Sequence, residues 1–494
     1  MNITILGFLL ILLHVSGFPN FVDRGSSWYN VKFNGHKVGY YFVEKKTVLK
    51  GNRKIPVKSE KMHIILRRMN NELLVDSFLE QRFDENDNLA KFKYRVSEGN
   101  INKKIDGTFD YERAKVVLTI EINETRHVQE IDIVKSALSE LQVMKKMKKA
   151  GLKIGNAMTF TTFLPDSVRF ANCRIQIDSI DDISIKGENK RLYKVIREVE
   201  DTAAKSINWI DSNFSPWISE HILPKRVFRL ERTLKKDALT LNWTSANDFD
   251  IFENASIKLK IPGNMTFDLE KVRYKARRVV FRLKNVSPQH MLNGDMQKVV
   301  SKDGDGSILL ETHTDPSEAG KISALKSFLA PNIYIQSENE KIRKIVTSLI
   351  DRYSRLKTAL NIKKWVNNNI EWCSDYGFST ALSTLETRRG DCSEFSVLCA
   401  AMCRNAKIPA RVALGYIIKN SYGGEKRLVP HMWTEILVNN TWYPIDATSE
   451  RQDVNPFKIR FLSSALKWDE MHKLFNLYAN FSHASVELIS IVKK

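Results

Sequence analysis

Cysteine is scarce, and long apolar runs are missing beyond the first few residues. Five cysteines in 494 residues (Cys173, Cys373, Cys392, Cys399 and Cys403) are too few for a disulfide scaffold. Their odd number raises the question of a free reactive thiol. Past residue 17 no segment is apolar enough to span a bilayer, so no transmembrane span is expected in the mature chain. Acidic residues are short too: 57 against 77 Lys and Arg, a formal charge of +20. No nucleic-acid motif accompanies that charge, and nucleic acid is not the expected partner. What is present is a globular balance, 43% apolar and 27% charged, on a chain long enough for two or three domains.

The chain opens with an uncharged apolar run from Ile3 to Val15, followed by Ser16-Gly17. That is too short to cross a bilayer comfortably and fits the h-region of a secretory signal over residues 1–17, although no Lys or Arg precedes it. No cysteine follows at once, so no lipid-anchor site is expected. The expected location is outside the cytoplasm, periplasmic or secreted. There a basic protein suits an anionic cell-wall or surface polymer.

Residues 26 to about 235 read as antiparallel β. In "WYNVKFNGHKVGYYF", Asn34-Gly35 supplies the two φ > 0 positions of a tight hairpin turn. Val31 and Phe33 alternate on one side of it, and Val38, Tyr40 and Phe42 on the other. A helix near 136–150 interrupts the strands. Leu138, Leu141, Met144 and Met147 form its apolar stripe, and the lysines of "MKKMKK" its solvated face. Gly151 ends it. Residues 236 to about 325 are again strand-like. "KDGDGS" at 302–307 reads as a turn, because a calcium loop starting at Asp303 would need a carboxylate at Thr314. From about 331 the period becomes helical. Ser337 and Glu340 stand at capping-box spacing before the stripe Ile342, Ile345, Val346, Leu349 and Ile350. A second helix is expected over roughly 358–370, burying Ile362, Trp365, Val366 and Ile370.

The chemistry concentrates in "RRGDCSEFSVLCAAMC", residues 388–403. Gly390 permits a tight turn, and Asp391 with Glu394 is a helix-start signature. Cys392 then falls at the first helical position, where unpaired N–H groups and the helix dipole favour a thiolate. Cys399 and Cys403 share its face. Cysteines roughly 10 Å apart along a helix cannot share one ion with Cys392, so the pair reads as small buried hydrophobes. No metal and no organic cofactor is expected. Downstream stands "PHMWTEILVNNTWYPIDATSE". With Asn439-Asn440 as a two-residue turn, Val438 faces Thr441, Glu435 faces Pro444 and Trp433 faces Asp446. His431 and Asp446 then become diagonal neighbours on one face. A thiol, a base and an orienter are the parts of a nucleophilic site.

These segments, "RRGDCSEFSVLCAAMCRNAKIPARVALGY", "HMWTEI" and "WYPIDAT", resemble the transglutaminase-like superfamily, a branch of the papain-like cysteine-enzyme fold. The long β-rich region ahead of them is similar to that of bacterial members. The resemblance implies an α+β fold: a papain-like, transglutaminase-like domain over 326–494, preceded by antiparallel β sandwich or half-barrel domains at 18–235 and 236–325. It assigns Cys392 as nucleophile, His431 as base and Asp446 as orienter. The family commonly has an aromatic near Trp372, so Trp372 and Trp433 are the expected substrate-binding or oxyanion-side residues. The backbone N–H of Cys392 is one oxyanion donor.

The implied activity is thiol-dependent acyl transfer or amide hydrolysis on a protein or cell-wall peptide. The alternative is an inactive transglutaminase-like scaffold or adhesion protein that binds an anionic surface or a partner protein.

Overall fold

The structure, a computed structural model, describes residues 25–493 apart from 51–52, 69–70, 201–204, 224–225, 241–254, 264, 287–292, 295, 316–324, 374–377, 421–423, 452–453, 472–480 and 482–483. The expected leader, residues 1–17, lies outside the described residues. The chain is mostly β and divides into two compact units, one over the described residues up to 240 and one from 255 onward.

The first unit is a single antiparallel sheet of 14 strands. A meander runs outward from Gly25–Phe33 to Thr125–Asp132. A second returns from Ala157–Leu164 to Arg226–Thr233, which pairs back onto Gly25–Phe33. Period-two alternation drives it: in Asn71–Phe83, Leu73, Val75, Ser77, Leu79, Gln81 and Phe83 are buried while their neighbours are not. The first turn forms as its sequence requires, with Asn34 at φ 47° and Gly35 at φ 90°.

The face assignment beyond that turn needs a correction. Val31 pairs with Gly39 but Lys32 with Lys37, so Val38 is the extra residue of a β-bulge. Val38 stays buried, and the parity then flips: Tyr41 and Val43 face the core. Tyr40 and Phe42 turn to the opposite face beside Trp28, at ring separations of 5.7 and 4.5 Å.

The expected Lys-rich helix is Glu140–Ala150. Ser139 and Gln142 cap it reciprocally, and Gly151 ends it. It lays Val143, Met144 and Met147 on a cluster that includes Phe160, Cys173 and Ile175.

The second unit combines helices with a nine-stranded sheet. The parallel pairing of Ile257–Lys260 with Ser485–Lys493 joins the strands of residues 276–313 to those of residues 410–464 in that one sheet. Residues 302–307 make the expected turn between Gln297–Lys302 and Ile308–His313.

Three helices precede the Cys392 segment: Glu340–Thr347, Arg355–Asn369 and Ala381–Thr387. The cap of the first is Asn339, whose side chain accepts from the Lys341 N–H, and not Ser337. Ser337 is instead buried, and its carbonyl accepts from Asn405. Ile342 and Val346 of the predicted stripe are buried, but the helix stops before Leu349 and Ile350, and Ile350 is exposed. In Arg355–Asn369, Ile362 and Val366 face inward while Trp365 is half-buried beneath Arg388.

Candidate active site

The helix Cys392–Asn405 is buried from Cys392 through Arg404. An apolar face of Phe395, Leu398 and Met402 explains part of that burial. Its polar groups are paired. Thr434 Oγ1 donates to the Ser396 carbonyl at 3.0 Å, and the Arg404 guanidinium donates to the carbonyls of Ala330, Ala410 and Ala465.

The start of this helix is tightly specified. Asp391 is the cap: its Oδ1 accepts from the Ser393 N–H at 2.7 Å, and Glu394 Oε2 accepts from the Asp391 N–H at 3.0 Å. The second Glu394 oxygen accepts from the Ser379 N–H at 2.9 Å and so holds the preceding helix as well. Burial first, and then the Asp391 carboxylate, push the Glu394 carboxyl far above its usual range. Gly390 is required by space, since a Cβ there would lie 2.3 Å from the Glu394 Cβ. Cys392 therefore occupies the first helical turn, 3% exposed, where the helix N-terminus supports negative charge.

His431 comes from the strand Lys426–Val438, and Asp446 follows the strand Thr441–Ile445. The pairing runs Val438–Thr441, Glu435–Pro444 and Thr434–Ile445, as the two-residue turn dictates. Asn439 and Asn440 lie at φ 50° and 60°. On that register the His431 Nε2–H donates to Asp446 Oδ2 at 2.8 Å. His431 also hydrogen-bonds the Cys392 thiol, and Nδ1 is the ring nitrogen left for it. The structure thus brings the three predicted residues together.

Their electrostatics agree with that order. Burial works to raise the Cys392 thiol, yet it lies below its ordinary value, and the hydrogen bond and charge of His431 are among the influences that pull it down. Burial works to lower His431, but the Asp446 charge and hydrogen bond lift it above its ordinary value. Asp446 is buried and nevertheless held well below the usual carboxylate range by Lys458 and His431.

Lys458 is a residue that sequence reasoning missed. Its Nζ donates to the same Asp446 Oδ2 at 2.6 Å. The other oxygen accepts from the Thr448 N–H and Oγ1 at 3.1 and 2.7 Å. Thr448 had a sequence signal, because a Thr two residues after an Asp is a common local partner. Lys458 had none: it reaches the site through the pairing of Ile417 with Lys458 across strands distant in sequence.

The two tryptophans separate. Trp372 is 44% exposed, in a short parallel pairing with Gly390, with the Phe395 ring at 6.2 Å and Lys419 Nζ 5.7 Å from its ring centre. Trp433 is buried. Its ring stacks on His431 at 6.1 Å, and its Nε1–H donates to Glu435 at 3.4 Å. Glu435 is in turn clamped by Arg411 and Arg460, which hold its carboxyl down at about 2 against the effect of burial. Cys173, Cys373, Cys399 and Cys403 are all free and buried. Among the described residues no cluster of His, Cys, Asp or Glu could hold a metal ion.

Cys392 at a helix start thus lies beside His431, which is paired to Asp446. Residues 314–447, which contain all three groups, match the transglutaminase-like superfamily, and the chain carries a transglutaminase-like domain. Among solved structures it is similar to a proposed cysteine protease from Cytophaga hutchinsonii (18% identity, 44% of this chain and 86% of that one, TM-score 0.27). It is similar also to a β-barrel-like protein of a domain of unknown function from Brucella abortus (8%, 42% and 94%, TM-score 0.32). A third is a proposed protease from Parabacteroides distasonis (10%, 72% and 63%, TM-score 0.20). Comparison with curated proteins finds no match.

Proposed function

We propose that this protein is a thiol-dependent enzyme that hydrolyses or transfers an amide acyl group on a protein or cell-wall peptide outside the cytoplasm. One observation carries the reading: Cys392 at a helix start is hydrogen-bonded to His431, whose Nε2–H lies 2.8 Å from Asp446. The Cys392 thiolate attacks the amide carbonyl, and charge develops on oxygen beside the Cys392 backbone N–H. The His431 imidazolium gives its proton to the leaving amine, and a thioester remains on Cys392. His431 then takes a proton from water or from an acceptor amine, which attacks the thioester and restores the thiol. Asp446 fixes the tautomer and steadies the imidazolium. Trp372, exposed and next to the Cys392 loop, is the side chain best placed to flank the substrate.

The test is labelling of the purified chain with iodoacetamide at neutral pH, with mass spectrometry of the modified peptide. Cys392 should label fast and selectively, and Cys392→Ala should lose that label. Equal labelling of the two proteins overturns the reading and favours an inactive binding scaffold.

A further inference from the structure

A cleft of about 180 Å³ adjoins the His431–Asp446 pair. Five cations line it: Arg273, Lys363, Lys419, Arg451 and Lys458. Asp446 is the only acid in that lining, and four donors already satisfy it. Such an imbalance beside a reacting centre attracts anions, because a cleft lined by one sign of charge focuses its field.

The five cations are not equivalent. Lys458 is committed to Asp446 at 2.6 Å. Lys363 is buried and donates to the Arg451 carbonyl. Arg273 donates to the Ile418 carbonyl at 2.8 Å and meets Glu270 at 3.2 Å. Lys419 and Arg451 are exposed, and neither charged end meets an acid or a carbonyl among the described residues. Each is held over an aromatic ring instead. Lys419 Nζ lies 5.7 Å from the Trp372 ring centre, and the Arg451 guanidinium 4.8 Å from that of Tyr274. Tyr274 is fixed in turn by Ser449, its hydroxyl 3.2 Å from Oγ. A ring face is a weak partner that steadies a cation and leaves its N–H donors for a ligand. Lys419 also joins two places. It lines the cleft together with His431, and it covers Trp372, which pairs with Gly390 just ahead of Cys392.

We propose that the substrate is an acidic peptide, and that Lys419 and Arg451 bind its carboxylate close to the reacting amide; this rests on the catalytic reading above. The probes are the α-amides of N-bromoacetyl-glutamate and N-bromoacetyl-glutamine, which differ by one charge. With either, the Cys392 sulfur bonds to the bromoacetyl carbon and bromide leaves. The rate of Cys392 alkylation in the full chain, followed by mass spectrometry, is divided by the rate with β-mercaptoethanol to remove intrinsic reactivity. The acidic probe should then be favoured about fivefold, the scale of an exposed charge pair. That preference should shrink as salt rises. Lys419→Gln, with its circular dichroism unchanged, should cut it to within about twofold. Equal rates for the two probes on the native chain overturn the proposal, leave the catalytic reading standing, and need no variant to fold. A full preference in folded Lys419→Gln and Arg451→Gln proteins overturns it as well. Failure of both probes to label Cys392 overturns the catalytic reading, and this proposal with it.

Discussion

Asp446 accepts from four donors: His431 Nε2, Lys458 Nζ and both groups of Thr448. So many partners keep it ionised and fixed, which is what an orienting carboxylate needs. The thiol is lowered and the imidazole raised from their ordinary values, the directions that favour a thiolate–imidazolium pair. The sign follows from that. Alkylation of Cys392 by iodoacetamide should persist at a pH below the ordinary thiol range, and His431→Ala should move its midpoint upward. Lys458→Met removes a cation from Asp446 and leaves the carboxylate's charge to act on His431. The imidazolium should then lose its proton at higher pH, so the alkaline limb of turnover moves up. Turnover itself should fall between about ten- and a hundredfold, since the base is less well fixed. A pH–rate profile checks both, and an unmoved alkaline limb would leave Lys458 a purely structural role.

The hairpin carrying His431 and Asp446 owes its register to two residues. Asn439 and Asn440 both adopt left-handed φ, which costs most other side chains about 1–2 kcal/mol. Asn440→Val should lower stability by about that much, while Asn440→Gly should be neutral or better; thermal melts decide. This turn and the helix start at Asp391 were legible because both are local: a dipeptide fixes the parity and a four-residue signature fixes the first helical position. Bulges and alternative caps are not so written. The Val38 bulge follows from how three strands settle together, and Asn339 displaced Ser337 because both are good caps and tertiary contacts chose between them. Lys458 was illegible for a third reason, since a pairing of distant strands leaves no trace in spacing. The separate roles of Trp372 and Trp433 depend on burial, and no periodicity revealed that.

At the scale of the molecule, burying charge couples stability to pH. Glu435 is folded with a carboxyl at about 2, below its ordinary value, between Arg411 and Arg460. A lowered acid contributes stability above its unfolded value and loses it as pH falls through the folded one. Circular dichroism should therefore show acid unfolding setting in below about pH 4.5, and Glu435→Gln should flatten that dependence while lowering stability at neutral pH. The formal +20 charge predicts retention on an anionic polymer that weakens as salt rises.

The sheet of 14 strands ends at Thr125–Asp132, and no further strand pairs with it among the described residues. Such a rim invites neighbouring molecules to add their own strands, a route to filaments. Here Arg126, His127, Glu130 and Asp132 crowd eight residues with ionisable groups. Docking a second rim would bring like charges together or strip their water, so this border guards a very wide sheet against polymerising.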